Sequence, residues 1–214
     1  NVAYSLVTLS VFIWLFGYAM MYPMRSYAIA EIWARIVYSG VVFVPACSYH
    51  FAAAFLKLKV VRKLIVPIYL FSALNLVWVW TNSQFISGLH KYFWGYHTQV
   101  GALHNVFLIF FLIVMTSVMC FLYRGIKQGV SEGAAEINRR KFIFWGYAGA
   151  IFATADFLPN YGFEFYPPGF LFILVHASII GYAIARHRLL DITVAITRTG
   201  ILGGIYLVVL LVPV

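Results

Sequence analysis

From Val100 to Tyr123 the chain runs without a single aspartate, glutamate, lysine or arginine. A run of that kind exceeds the ~20 apolar residues that cross a bilayer, and only an internally bonded helix satisfies its backbone amides in hydrocarbon. Comparable runs, delimited by charges and turn residues, predict further spans near 1–23, 28–56, 64–82, 142–158 and 168–185, with another beginning near Ile201. The expected fold is all-α, a polytopic transmembrane helical bundle of six full spans plus the start of a seventh. Residues 1–200 then form one multi-span membrane domain and 201–214 the beginning of a further helix. Pro67 should bend the third span, while Pro45 sits inside the second and Pro23 at the end of the first, where neighbouring helices can satisfy the freed carbonyls.

Composition leaves room for little else. Of the 214 residues 64% are hydrophobic and 10% charged, and the mean hydropathy is +0.91. No Walker loop, GxSxG elbow, HExxH pair or CxxC pair occurs, so the usual routes to catalysis are missing and the chain is expected to be no enzyme. Cys47 and Cys120 both fall in apolar stretches, apart from any second ligand at metal spacing. The start at Asn1 and the end at Val214, inside an apolar run, read as the bounds of a fragment.

The cations set the orientation. Of the 15 lysines and arginines, all but Arg25, Arg35 and Lys91 lie near 57–63, 124–141 or 186–198, segments that share one face if every span crosses. Positive loops stay inside, which makes Asn1 cytoplasmic. The net charge of +9 is thereby a topological signal that also meets anionic headgroups, and its division among short loops argues against nucleic acid. The segment "RGIKQGVSEGAAEINRRK" reads as a mobile cytoplasmic connector.

Several polar residues need partners. Glu31 and Arg35 stand four apart and can pair on one helical face, or Arg35 can reach an acid on another helix such as Asp156. His50, His104 and His176 lie on different spans and at different depths, so hydrogen bonding within the bundle is favoured over haem or pigment ligation, and no cofactor is expected. The outer loop Asn82–Gly101 is rich in aromatics that suit the headgroup level. In "DFLPNYGFEFYPPG" three prolines stop the flanking helices, while Asp156 and Glu164 are left to serve either as solvated loop acids or as ligand contacts. These two outer segments could roof a pocket, with Trp94, Tyr96, His97, Asp156, Asn160, Tyr161 and Glu164 as candidate contacts.

Four stretches occur in an order that carries a resemblance: "WARIVYSGVVFVPACSYHFAAAFL", "YFWGYHTQVGALHNVF", "DFLPNYGFEFYPPGF" and "GYAIARHRLLDITVAITRTG". Together, from about Trp14 to about Gly200, they resemble the seven-transmembrane N-terminal sensor region of bacterial histidine kinases. The resemblance implies a membrane sensor placed before a cytoplasmic signalling module, with Arg186, Arg188, Leu189, Leu190, Asp191 and Ile192 matching the family's exit motif. The apolar start at Ile201 departs from a pattern in which that motif leads straight into a soluble domain. Expected partners are the bilayer, a small-molecule or lipid ligand, and a second copy or a membrane-complex subunit. The alternative reading is an accessory or scaffolding subunit of a larger membrane assembly; a cofactor or transport protein ranks last.

Overall fold

The computed structural model describes residues 2–59, 61–128 and 133–187. Helices α1 (Val2–Met21), α2 (Tyr27–Val41), α3 (Val44–Phe55) and α4 (Ile65–Thr81) lead into a two-stranded ribbon, β1 (Ile86–Tyr92) and β2 (Gly95–Val100). Then follow α5 (Ala102–Gln128), α6 (Ala134–Ile151), a 3₁₀ helix (Phe152–Tyr161) and α7 (Gly169–His187). Among the described residues, five segments are long and apolar enough to cross a membrane: 2–21, 27–55, 61–81, 102–128 and 134–161. Gly169–Ala183 is a shorter apolar helix, and the expected seventh span lies outside the described residues.

Local chemistry accounts for the breaks. Pro45 has no N–H for the Val41 carbonyl, so the second span divides at Val42–Phe43 and restarts with proline in the first turn of α3. That helix ends in a Schellman motif: the Leu58 N–H reaches the Ala53 carbonyl at 2.9 Å and the Lys57 N–H the Ala54 carbonyl at 3.2 Å. Lys57 therefore sits at φ 54°, where glycine is usual. Pro67 falls in the first turn of α4, just after a 3₁₀ turn over Val61–Leu64, so it lies at the helix entrance instead of bending its middle.

Helix α1 packs most extensively on α2, and glycine permits the approach. A methyl group added at Gly40 would lie 2.9 Å from the Trp14 backbone nitrogen, and one at Gly17 would lie 2.7 Å from Cγ2 of Val37. Without a solvent-driven hydrophobic term inside lipid, such close backbone packing is a principal source of helix association. Two buried clusters run along the bundle, one around Tyr38, Phe85 and Phe107, the other around Val118, Leu122 and Ile143.

Within an otherwise helical fold, the expected outer loop Asn82–Gly101 holds a two-stranded ribbon. The Asn82 Oδ1 accepts the Gln84 N–H at 2.8 Å and turns the chain out of α4. Strands β1 and β2 pair antiparallel around Phe93–Trp94, with Gly95 at φ 134° closing the turn where its α-carbon lies against the Tyr22 backbone. A register shift between Ile86 and Gly88 marks a bulge at the base, and the Leu103 N–H returns to the Gln84 carbonyl at 2.9 Å as α5 begins.

The basic segment 124–141 also departs from expectation. Arg124 and Lys127 lie on α5, whereas Arg139, Arg140 and Lys141 lie on α6; 129–132 are outside the described residues. Arg140 is buried; its Nη1 donates to the Gly125 carbonyl at 2.7 Å and its Nε to Glu136 at 2.9 Å. The guanidinium thereby serves an end carbonyl of α5, at the pole where helix dipoles favour positive charge.

Candidate functional site

The pole opposite those basic residues holds a buried polar cluster beneath the ribbon. Five elements bring it together: the C-terminal parts of α1 and α2, strand β2, the start of α5, and the 3₁₀ helix. Its first part is a chain of hydrogen bonds. Asn160 Nδ2 donates to the Tyr38 hydroxyl at 3.0 Å, which lies 2.9 Å from His104 Nε2. On the far side of the same imidazole, Nδ1 lies 2.9 Å from the Tyr161 hydroxyl, which donates to Asn105 Oδ1 at 2.8 Å. Tyr38 and His104 are fully buried, and Phe85 closes over both rings at centroid separations of 5.5 and 5.7 Å.

The second part centres on His97, which β2 points inward onto α1. Its ring stacks on Tyr18 at 5.0 Å, and Nδ1 lies 3.3 Å from the Tyr22 hydroxyl. Burial pushes this imidazole down to about 3, a shift opposed by the neighbouring Asp156 backbone and Asn160 side chain and reinforced by His90. His97 is therefore neutral at ordinary pH. Burial likewise raises the Tyr22 phenol, with Tyr18 and Asp156 adding to the effect. The hydroxyl of Tyr92 on β1 donates to the Pro159 carbonyl at 2.8 Å, tying the ribbon to the 3₁₀ helix.

Asp156 joins this cluster to α7. Its side chain is buried, and Oδ1 accepts the N–H of Gly169 at 2.7 Å, so a residue in the 3₁₀ helix holds the first amide of α7. The absence of a side chain at Gly169 is required, because a Cβ there would collide with the carboxylate. Arg35 takes no part: it donates to Glu31 at 2.7 Å and to the Val79 carbonyl, so the ion pair stays within α2.

The seven sequence-derived candidates thus divide. His97, Asp156 and Asn160 are buried together, and Tyr161 joins them through His104. Trp94 stacks with Tyr92 at 4.5 Å and meets Tyr166 edge-on, Tyr96 packs on Tyr27 beneath Lys91, and Glu164 is exposed. These three belong to the outer rim. Sequence reasoning left out Tyr38, Asn105, Tyr18, Tyr22 and Thr98 as site residues and gave His104 a hydrogen-bonding role within the bundle without placing it in the site. The signal for them was that buried tyrosine hydroxyls and imidazoles near helix ends require partners.

The cluster combines tyrosine, histidine, asparagine and threonine groups with the Asp156 carboxylate; Asn160 Oδ1, His97 Nε2 and Thr98 Oγ1 are buried and form no well-directed hydrogen bond among the described residues, with Asn160 beside His97 and Thr98 beside Tyr18. No three histidine, cysteine, aspartate or glutamate side chains gather at metal-binding distance among those residues. His50 and His176 sit elsewhere, against Tyr69 and Tyr147 respectively. Of the exit-motif residues, Arg186 falls within α7, and 188–192 lie outside the described residues.

A family model described as the N-terminal 7TM region of histidine kinase matches residues 1–193. No curated protein and no solved structure matches the chain.

Proposed function

This chain belongs to the family of N-terminal 7TM regions of histidine kinases, and on that premise we propose that it is a membrane-embedded signal-input region whose outer polar cluster responds to a stimulus. The observation that carries the proposal is the contact from Asp156 to Gly169, which connects the cluster under the ribbon to the last described helix. A small polar group entering the cluster would engage the weakly bonded buried atoms of Asn160, His97 and Thr98, altering the fit between the 3₁₀ helix and the start of α7. Displacement of α7 would then pass to Arg186, Arg188, Leu189, Leu190, Asp191 and Ile192 and on to a cytoplasmic signalling module. Kinase or cyclase chemistry resides in that module in this reading, and the present residues supply binding and displacement.

The basic residues at the opposite pole support a bacterial inner-membrane orientation with Asn1 inside and the ribbon outside. A stimulus shifts such an equilibrium only by its differential affinity for the two helix arrangements, and a tenfold preference corresponds to about 1.4 kcal/mol. The test is phosphate incorporation from ATP in membranes that carry the natural full-length protein, comparing the parent with Asp156→Leu. A changed basal level in folded protein is expected. Equal levels would remove Asp156 from the pathway, and a full-length protein with no signalling module would overturn the input role.

A further inference from the structure

A separate cavity of about 500 Å³ lies at mid-bundle between α5 and the α6–α7 pair, with walls that include Val11, Phe111, Met115, Phe144 and Phe157. None of its lining residues is an aspartate, glutamate, lysine or arginine. Its rim reaches the outside of the bundle at Leu112, Tyr123 and Ile151, which are exposed on segments that span the hydrocarbon. Access is therefore sideways from the bilayer. A smaller groove past Thr154 and Leu158 extends from it toward Tyr161.

Apolar walls alone would suit a bilayer acyl chain, but two polar groups lie on the inner wall. The Tyr147 hydroxyl and His176 Nδ1 are buried, their rings meet at 5.1 Å, and neither forms a well-directed hydrogen bond; their polar neighbours are the Ser48 side chain and the Gly146 backbone respectively. Ser48 lines the cavity beside them. Two weakly bonded polar groups among the lining residues of an otherwise apolar cavity constitute a binding preference, because a ligand oxygen can supply the well-directed bond that each lacks. A charged headgroup would have no counter-ion among the lining residues.

We propose that this cavity is a binding site for a neutral, membrane-soluble amphiphile: an alkyl chain along Phe111, Met115 and Phe157, and a hydroxyl or carbonyl oxygen bonded to Tyr147 and His176. The site is distinct from the polar cluster beneath the ribbon and requires no signalling role, so its test reads binding alone.

The full-length protein in lipid nanodiscs is photolabelled with a diazirine-bearing dodecanol, and labelled peptides are mapped. Labelling of α5 and α6 should be suppressed by dodecanol at a concentration about two- to tenfold below that needed with dodecane or dodecanoate, the range set by one neutral hydrogen bond. Tyr147→Phe should abolish that advantage. Thr116→Trp, an exposed position on the rim, should block labelling without disturbing the core. Equal protection by dodecane and dodecanol would reduce the cavity to an apolar void. Labelling by a diazirine-bearing phospholipid that dodecanol fails to displace would assign it to a bilayer lipid, and either result overturns the proposal, as would undiminished labelling of Thr116→Trp.

Discussion

The carboxylate of Asp156 accepts the backbone N–H of Gly169 at 2.7 Å, so the entrance of α7 is held by a residue of the preceding 3₁₀ helix. Proline occupies both positions before Gly169, which removes two backbone donors and leaves this amide as the first that a side chain can bind. The favourable pole of the helix dipole strengthens the contact.

Asp156→Ala should destabilise the fold by about 1–3 kcal/mol, because it strands a buried donor, whereas Asp156→Asn retains an acceptor and should lose less. Gly169→Ala should match or exceed the alanine effect at 156, since its methyl group and the carboxylate compete for the same space. Unfolding of the three variants in mixed detergent micelles orders them directly. An Asn variant as unstable as the Ala variant would show that the hydrogen bond is not the operative contact.

Tyr38→Phe removes one oxygen and leaves two buried groups, Asn160 Nδ2 and His104 Nε2, without their partner. The expected loss is about 1–3 kcal/mol. Tyr161→Phe should cost less, because that residue is 43% exposed and solvent or headgroups can replace its hydroxyl. The same unfolding measurement separates them, and an equal cost would place the Tyr161 contact on a par with the buried one.

His97 gives a defined pH signature. Its ordinary value is 6.5, and burial holds it at about 3 in the folded protein. Between those values the unfolded chain takes up a proton that the folded chain refuses. The associated stability is complete above 6.5 and falls as pH drops toward 3, at about 1.4 kcal/mol per pH unit. His97→Gln should flatten the pH dependence of unfolding by that slope, and parallel curves for parent and variant would contradict the assignment.

At the opposite pole, Arg140→Ala should cost about 1.5–3 kcal/mol, the range for hydrogen bonds made by a charged group, since it frees both the Gly125 carbonyl and one interaction of Glu136. Arg139→Ala should cost less, as that side chain makes a single 3.0 Å contact with Glu136 and rests on the Phe55 ring. Thermal unfolding in detergent distinguishes the two; equal shifts would mean that the bond to α5 contributes nothing.

Hydropathy made most helices legible, because a membrane solvent forces apolar runs into helical backbone and leaves few alternatives. It failed where solvent changes. Ile86–Val100 contains aromatics on both strand faces, which hides the period of two, and their composition alone suggested an interfacial loop. Arg139 and Arg140 made 124–141 read as a loop, although helices extend beyond hydrocarbon when a guanidinium serves their ends. Asp156, Asn160 and His97 stood out because ionisable and amide groups are rare in apolar sequence. Tyr38 did not, since a tyrosine in a helix reads as apolar until its hydroxyl is seen to be buried.

The ribbon has a consequence for depth. Two strands satisfy only their facing amides, and their outer edges carry backbone groups that hydrocarbon would leave unbonded. Those edges must stay in the hydrated layer, so β1 and β2 mark the molecule's waterline. With Gly95 against Tyr22 and Phe85 over Tyr38, the ribbon cannot rise away from the helices either. It floats the bundle at one height and leaves His97 just below the surface.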